Sequence, residues 1–136
     1  MLPNRYLISD RGIPRVAMSG DGPSLNLKDT ALTTAGAGTL LAALFSSGFI
    51  LRTGPGAAVA DTLDTGVNFD AAYPLLTIGD SFDAYYSNNV AFAITITAAA
   101  GMTLVTAAAN NIVAANTGRL LHFEKTGVGT YDVYVI

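Results

Sequence analysis

The sequence has no cysteine and no tryptophan, and one histidine among its 136 residues. Without cysteine there are no disulfides and no thiolate metal sites, and the redox compartment stays open. A zinc site takes three or four ligands, more than one histidine supplies. Charge is scarce as well. Asp, Glu, Lys and Arg make up 12% of the chain, where about 25% is usual. Long apolar runs are also missing. The charge-free stretch from Thr30 to Leu51 has the length of a membrane span, about 20 residues. Gly36, Gly38, Gly48 and several Ser and Thr break it, and only residues 40–45 are continuously apolar. A second charge-free stretch, Ala84 to Gly118, alternates at period 2 and holds Asn88, Asn89, Asn110 and Asn111. Such alternation marks strands, not a membrane helix. The N-terminus shows neither an apolar leader nor a small-residue cleavage site, so the expectation is synthesis in the cytoplasm without a signal peptide.

Hydrophobic residues reach 51%, yet aromatics are only 9%, and Ala, Thr and Gly fill the difference. A chain of this length forms one domain with its own core. A small soluble domain normally covers its large surface with charge. So few charges suggest that other subunits cover much of the surface. The competing reading is a Thr/Ser/Asn surface that is polar without being charged.

The charges are unevenly placed. Residues 1–28 carry Arg5, Arg11, Arg15 and Lys28 against Asp10 and Asp21, a net of +2. Residues 29–136 carry Arg52, Arg119 and Lys125 against eight acidic groups, a net of −5. A basic arm on an acidic body points to an acidic protein surface as partner. Nucleic acid is the other acidic partner such an arm suggests, but basic residues this sparse, with no aromatic interleaving beyond Tyr6, are a weak nucleic-acid signal, and a protein surface is the favoured partner.

Residues 1–28 read as an extended N-terminal arm. Pro3, Pro14 and Pro23 interrupt any helix, and Gly12, Gly20 and Gly22 punctuate the rest. The clusters Tyr6-Leu7-Ile8 and Val16-Ala17-Met18 have the makings of strands that add to a neighbouring sheet edge. Residues 29–136 read as a β-sandwich body with one or two short helices. The first helix is expected over 39–47, capped by Thr39 and ended by Gly48; the second starts at Asp64 or Thr65 and stops before Pro74. From Ser81 onward, short strands follow one another, with Asn88-Asn89 and Gly127-Val128-Gly129 as turns. Phe92, Ile94 and Ile96 are expected inward, and the last strand alternates Tyr131, Val133 and Val135 against Asp132, Tyr134 and Ile136. No repeat of 20–50 residues is visible. The fold class is mainly β: an antiparallel β-sandwich or jelly-roll-like module with an extended N-terminal arm.

No constellation carries chemistry. His122 alternates with Leu121 and Phe123, so it should point outward from a strand, and no Gly-x-Ser-x-Gly elbow accompanies it. Asp61 and Asp64 lie three apart, as do Asp80 and Asp83. Paired carboxylates can serve glycoside hydrolysis or calcium, but neither pair fits an EF-hand loop, and caps and turns explain them more simply. Gly36-Ala37-Gly38 and Gly54-Pro55-Gly56 complete neither a dinucleotide fingerprint nor a phosphate loop. The expectation is no enzyme, no cofactor and no metal.

Residues 39–136 carry a familiar order of segments. A Leu-rich stretch (Thr39-Leu40-Leu41-Ala42-Ala43-Leu44) precedes Phe49-Ile50-Leu51-Arg52, a Gly/Pro turn and Asp61-Thr62-Leu63-Asp64-Thr65. Then come Ile78-Gly79-Asp80-Ser81-Phe82, a Thr/Ala-alternating strand, Ala100-Gly101-Met102-Thr103-Leu104, Asn110-Asn111 and Lys125-Thr126-Gly127-Val128-Gly129-Thr130-Tyr131. This order resembles the capsid decoration, or cement, proteins of tailed bacteriophages, and similar modules recur in phage fibres and appendages. The resemblance implies a virion structural protein on the outer capsid surface, made in the host cytoplasm. It implies a homotrimer bridging subunits of the major capsid protein, with no nucleic acid and no membrane as partner. The arm would be the clamp: Arg5, Arg11 and Arg15 would meet capsid acids, while Tyr6, Ile8, Ile13 and Val16 would bury apolar surface. The alternative is a phage fibre, tail-appendage or receptor-binding β module. Such a module should show exposed aromatics, for which Tyr73, Tyr85 and Tyr86 are the candidates. In the assembly reading Leu40, Leu44, Phe45, Phe92, Ile94, Ile96, Leu104, Val133 and Val135 divide between the core and a subunit seam.

Overall fold

The computed structural model describes residues 5–10, 13–18, 30–106 and 110–136. The fold is mainly β. Two strands, β1 (Arg5–Asp10) and β2 (Ile13–Met18), pair antiparallel as a sheet of their own, with Leu7 opposite Val16 and Ile8 opposite Arg15. Both apolar clusters of the arm are thus strands, and they pair with each other. Arg11 lies outside the described residues.

The body follows as β3 (Thr30–Leu32), β4 (Thr39–Leu40), β5 (Phe49–Arg52), β6 (Val59–Leu63), α1 (Gly66–Ala72), β7 (Ser81–Asn88), β8 (Ile94–Thr97), β9 (Met102–Leu104), β10 (Ile112–Val113), β11 (Thr117–Gly127) and β12 (Thr130–Val135). They form a four-stranded sheet, β10-β8-β6-β4, and a six-stranded sheet, β3-β5-β7-β11-β12-β9. From β3 to β11 the chain changes sheet at every step. Successive visits to one sheet therefore lie side by side: β3, β5 and β7 are parallel neighbours, and so are β4, β6 and β8. The first three turns of the body form a coil with one strand in each sheet. β10 and β11 then run antiparallel to β8 and β7, and a hairpin joins β11 to β12.

The sheets are accordingly mixed, not purely antiparallel. Parallel neighbours need a long crossover, and here each crossover contains a strand of the opposite sheet. Asn88 shows why the run Ser81–Thr97 resembles a hairpin. It is a buried corner, not an open turn. Its amide donates to the carbonyls of Phe92, Val113 and Ala114, and its carbonyl accepts from the N–H of Val90. That corner turns the chain from one sheet to the other.

The two sheets share one core. Leu40, Leu63, Ile94, Ile96 and Val113 come from the smaller sheet, and Ile50, Tyr86, Leu121, Phe123, Val133 and Val135 from the larger. Phe69 on α1 closes one end, its ring 5.2–5.6 Å from those of Phe45, Phe123 and Tyr131. Each such side chain contributes roughly 1.5–3 kcal/mol by leaving water. Thr65 caps α1, accepting from the Asn68 N–H at 3.3 Å, as its sequence position predicts. The other helix is shorter than expected. Thr39 and Leu40 are strand, and residues 42–47 make a 3-10 turn ended by Gly48 in the left-handed region. Phe92 precedes β8 and is 40% exposed, so it does not continue the inward alternation of Ile94 and Ile96.

Candidate functional site

Alternation in the six-stranded sheet sends one residue set inward and the other out. Ile50, Ala84, Tyr86, Leu121, Phe123, Val133 and Val135 are buried. Their sequence neighbours line an outer face, and the strand register orders them into rows. Leu51, Ser87 and Gly118 form one row. Phe49, Tyr85, Leu120 and Ile136 form the next, where Leu120 and Ile136 exchange backbone hydrogen bonds. Asp83, His122 and Tyr134 form the third, and Ser81, Glu124, Asp132 and Thr103 the fourth. The face is graded from apolar to acidic along its strands.

The apolar half is a continuous surface. The rings of Phe49 and Tyr85 stack at 5.7 Å. Tyr85 lies down across β11: a Cβ at Gly118 would overlap the Tyr85 ring and hydroxyl. Glycine at 118 lets the phenol rest on the sheet instead of standing out from it. Tyr85 is 40% exposed and Ile136 64%. Of the earlier tyrosine candidates, Tyr86 is buried and Tyr73 half-buried, donating to the Ala42 carbonyl at 2.6 Å. Burial raises the Tyr73 phenol to about 12.

The polar half holds His122, whose Nδ1 lies 2.5 Å from an Asp83 carboxylate oxygen. Glu124 and Asp132 stand directly opposite each other on adjacent strands, an arrangement that like charges disfavour. Of the basic residues after Asp29, Arg52 and Lys125 are buried, and Arg119 pairs with Tyr86 on the inward phase of β11. Among the described residues the outer face therefore carries no Lys or Arg. The opposite surface of the molecule differs in kind. The outer face of the four-stranded sheet aligns Thr39, Thr62 and Thr97, with the last two hydroxyls 2.9 Å apart. That threonine face is polar without being charged.

The remaining polar groups are bound into the fold. Arg52 Nε donates to Asp61 at 2.7 Å, and the Asp61 carboxylate also accepts from Tyr86 Oη and the Gly38 N–H. The Arg52 guanidinium donates as well to the carbonyls of Leu32, Thr34, Gly36 and Thr53. Asp64 accepts from the N–H groups of Ala42 and Thr65 and from the Asn68 amide. Burial works against its charged form, but these donors outweigh it and hold the carboxyl below its ordinary value. Asp70 is similar: burial opposes ionisation, while Lys125, Tyr131 Oη and the Gly129 N–H prevail and lower it. Asp80 accepts from the Thr77 N–H and hydroxyl in a turn. The two aspartate pairs thus serve caps, turns and ion pairs. Among the described residues no three His, Asp or Glu converge to hold a metal, every buried side-chain polar atom has a partner, and no helix is long and apolar enough to cross a membrane.

Of the arm residues singled out from sequence, Arg5, Tyr6 and Ile8 fall in β1 and Ile13, Arg15 and Val16 in β2. The outer face was not anticipated as a unit. Its residues come from β5, β7, β11 and β12, and only strand register shows that they share rows. The alternation in 81–88 and 117–136 is the signal that marks them. Comparison with known proteins yields no match among family models, curated proteins or solved structures.

Proposed function

We propose that this chain is a structural protein of a tailed-phage virion, working by contact and not by catalysis. In this reading it decorates the outer capsid surface as a homotrimer and stabilises the shell by bridging subunits of the major capsid protein. One observation carries the reading: the six-stranded sheet has an uncovered face whose apolar half is continuous from Phe49 to Ile136. Sheets that end at solvent normally alternate to polar residues, and a continuous apolar surface marks an interaction site. The buried polar groups support it, because among the described residues each has a hydrogen-bond partner within the fold. The basic arm, with Arg5, Arg11 and Arg15, is the segment suited to acidic groups on the shell, and Tyr6, Ile8, Ile13 and Val16 supply apolar area.

The test is reconstitution on heads of the phage that encodes the chain, assembled without it. Full-length protein should bind heads saturably and raise the temperature at which they release DNA. A chain lacking residues 1–28 should keep its solution mass and lose head binding. Absence of binding by the full-length chain sinks the reading. The fibre or receptor-binding alternative draws on the exposed Tyr85 beside Phe49, Asp83 and His122, a combination suited to stacking on a sugar. Binding of host-surface glycan without head binding would favour it.

A further inference from the structure

We infer that the apolar half of the outer face, with Phe49, Tyr85, Leu120 and Ile136 at its centre, is the seam between copies of this chain. The inference rests on the assembly reading above and names the partner for this face. Three observations bear on the occupant, and the last two point to a second copy.

The first is size. The two apolar rows cross four strands at about 4.8 Å spacing and lie about 6.8 Å apart, a footprint of roughly 250 Å² before corrugation. Stable interfaces bury about 800 Å² per partner, so these rows supply about a third of one partner's share and form the centre of the seam, not its full extent. The second is chemistry. An acidic partner would need cations on the face, and the described residues place none there. A basic partner would settle on Asp83, Glu124 and Asp132 and leave the apolar rows in water. What matches the apolar rows is another uncharged apolar surface of the same extent, and each copy carries one. The third is the grading itself. Glu124 and Asp132 already oppose each other within one chain. Copies that overlap their acidic rows add repulsion; copies that join at the apolar rows, with acidic rows splayed apart, do not. The acidic end thus fixes which half of the face is buried and in what orientation, a repulsive element that sets register. Tyr85, laid flat over Gly118, gives the closely approached part of the seam a smooth aromatic surface.

A second exposed apolar group provides the internal rival. Val67, Leu75, Ile78 and Val128 surround α1 and the β11–β12 turn, with Val128 87% exposed.

The experiment is the solution mass of the full chain, by light scattering over a range of protein concentrations. It compares wild type with Leu120→Glu, Ile136→Glu and Val128→Glu, and each variant's fold is checked by circular dichroism and thermal melting. Wild type should give a multiple of 14.0 kDa that persists, or strengthens, as ionic strength rises, since salt screens the acidic rows. Leu120→Glu and Ile136→Glu should fall to the single-chain mass with their fold intact, and Val128→Glu should keep the wild-type mass. A wild type that stays single at every concentration overturns the inference. So does an oligomer that survives Leu120→Glu, or one lost in Val128→Glu alone. A folded Leu120→Glu that remains unchanged in mass while the wild type still binds heads rejects the seam and leaves the decoration reading standing. An oligomer that dissolves in Leu120→Glu but never binds heads supports the seam and rejects decoration.

Discussion

Arg52 on β5 and Asp61 on β6 belong to opposite sheets, and their 2.7 Å ion pair is fully buried between them. The pair links the first coils of the body to one another. Asp61 is held by a guanidinium, a phenol and a backbone N–H, while Arg52 satisfies the carbonyls of the segment 32–36. Arg52→Met removes one partner and leaves a carboxylate buried without its counter-charge. The expected cost is about 3–5 kcal/mol. Tyr86→Phe removes a single donor to the same carboxylate and should cost about 1–3 kcal/mol. Urea unfolding of the two variants should rank them in that order. An Arg52→Met protein as stable as wild type would mean that the pair does not tie the sheets together.

Phe69 is where helix and sheet meet. It is completely buried, with Phe45, Phe82, Tyr73, Phe123 and Tyr131 around it. Truncation to Ala leaves a cavity bounded by rings that cannot all collapse inward, at an expected cost of about 3–5 kcal/mol. Phe92→Ala, at a half-exposed position outside this cluster, should cost far less. Denaturant midpoints of the two variants check the contrast.

Two carboxyls contribute to the response to acid. Asp64 and Asp70 are both held below the ordinary carboxylate value in the folded state. The unfolded chain therefore takes up protons first as pH falls, and folding stability declines with it. Their contribution is fully present above the ordinary carboxyl value, near 4, and is lost as pH drops through the lowered folded values. Asp70→Asn keeps the side-chain shape but removes the charge facing Lys125 at 2.8 Å. It should flatten the acid limb of the stability profile below about pH 4 and lower stability at neutral pH. Melting temperature against pH for both proteins is the measurement, and parallel acid limbs would show that Asp70 does not drive the decline.

Much of this was legible in the chain itself. The alternation at 130–136 separates Tyr131, Val133 and Val135 from Asp132, Tyr134 and Ile136, and the first set is the buried one. Thr65 and Gly48 mark a helix start and a turn end where the structure has them. The pairing was not legible. Asn88-Asn89 has the composition of a hairpin turn, but its function depends on Val113 and Ala114, which lie 25 and 26 residues away. A parallel coil whose members share no sequence repeat leaves no periodic signal. The strand β6 begins in the small-residue run Ala57-Ala58-Val59-Ala60 and contains an aspartate, Asp61, that is buried against Arg52. The outer face was hidden for the same reason: Phe49, Tyr85, Leu120 and Ile136 become neighbours only through register.

Two glycines that look alike in sequence should respond differently to the same added methyl. At Gly66 a Cβ would collide with the Gly129 backbone carbonyl, with the Gly101 carbonyl also close. Backbone cannot step aside without moving the β11–β12 hairpin, so Gly66→Ala is expected to cost about 1–3 kcal/mol as an overpacked site. At Gly118 the Cβ would meet the far end of the Tyr85 side chain, which is 40% exposed and free to swing outward. Gly118→Ala should therefore change stability by no more than about 1 kcal/mol, and toward greater stability where the strand gains from losing a glycine. Its effect should fall on the outer face instead, where the phenol lifts off the sheet and the aromatic surface with Phe49 is interrupted. The chain has no tryptophan but six tyrosines, so the difference in tyrosine fluorescence and near-ultraviolet circular dichroism from wild type reports the displaced ring. A Gly118→Ala protein that loses as much stability as Gly66→Ala would show that Tyr85 is fixed in place by more than the space glycine leaves.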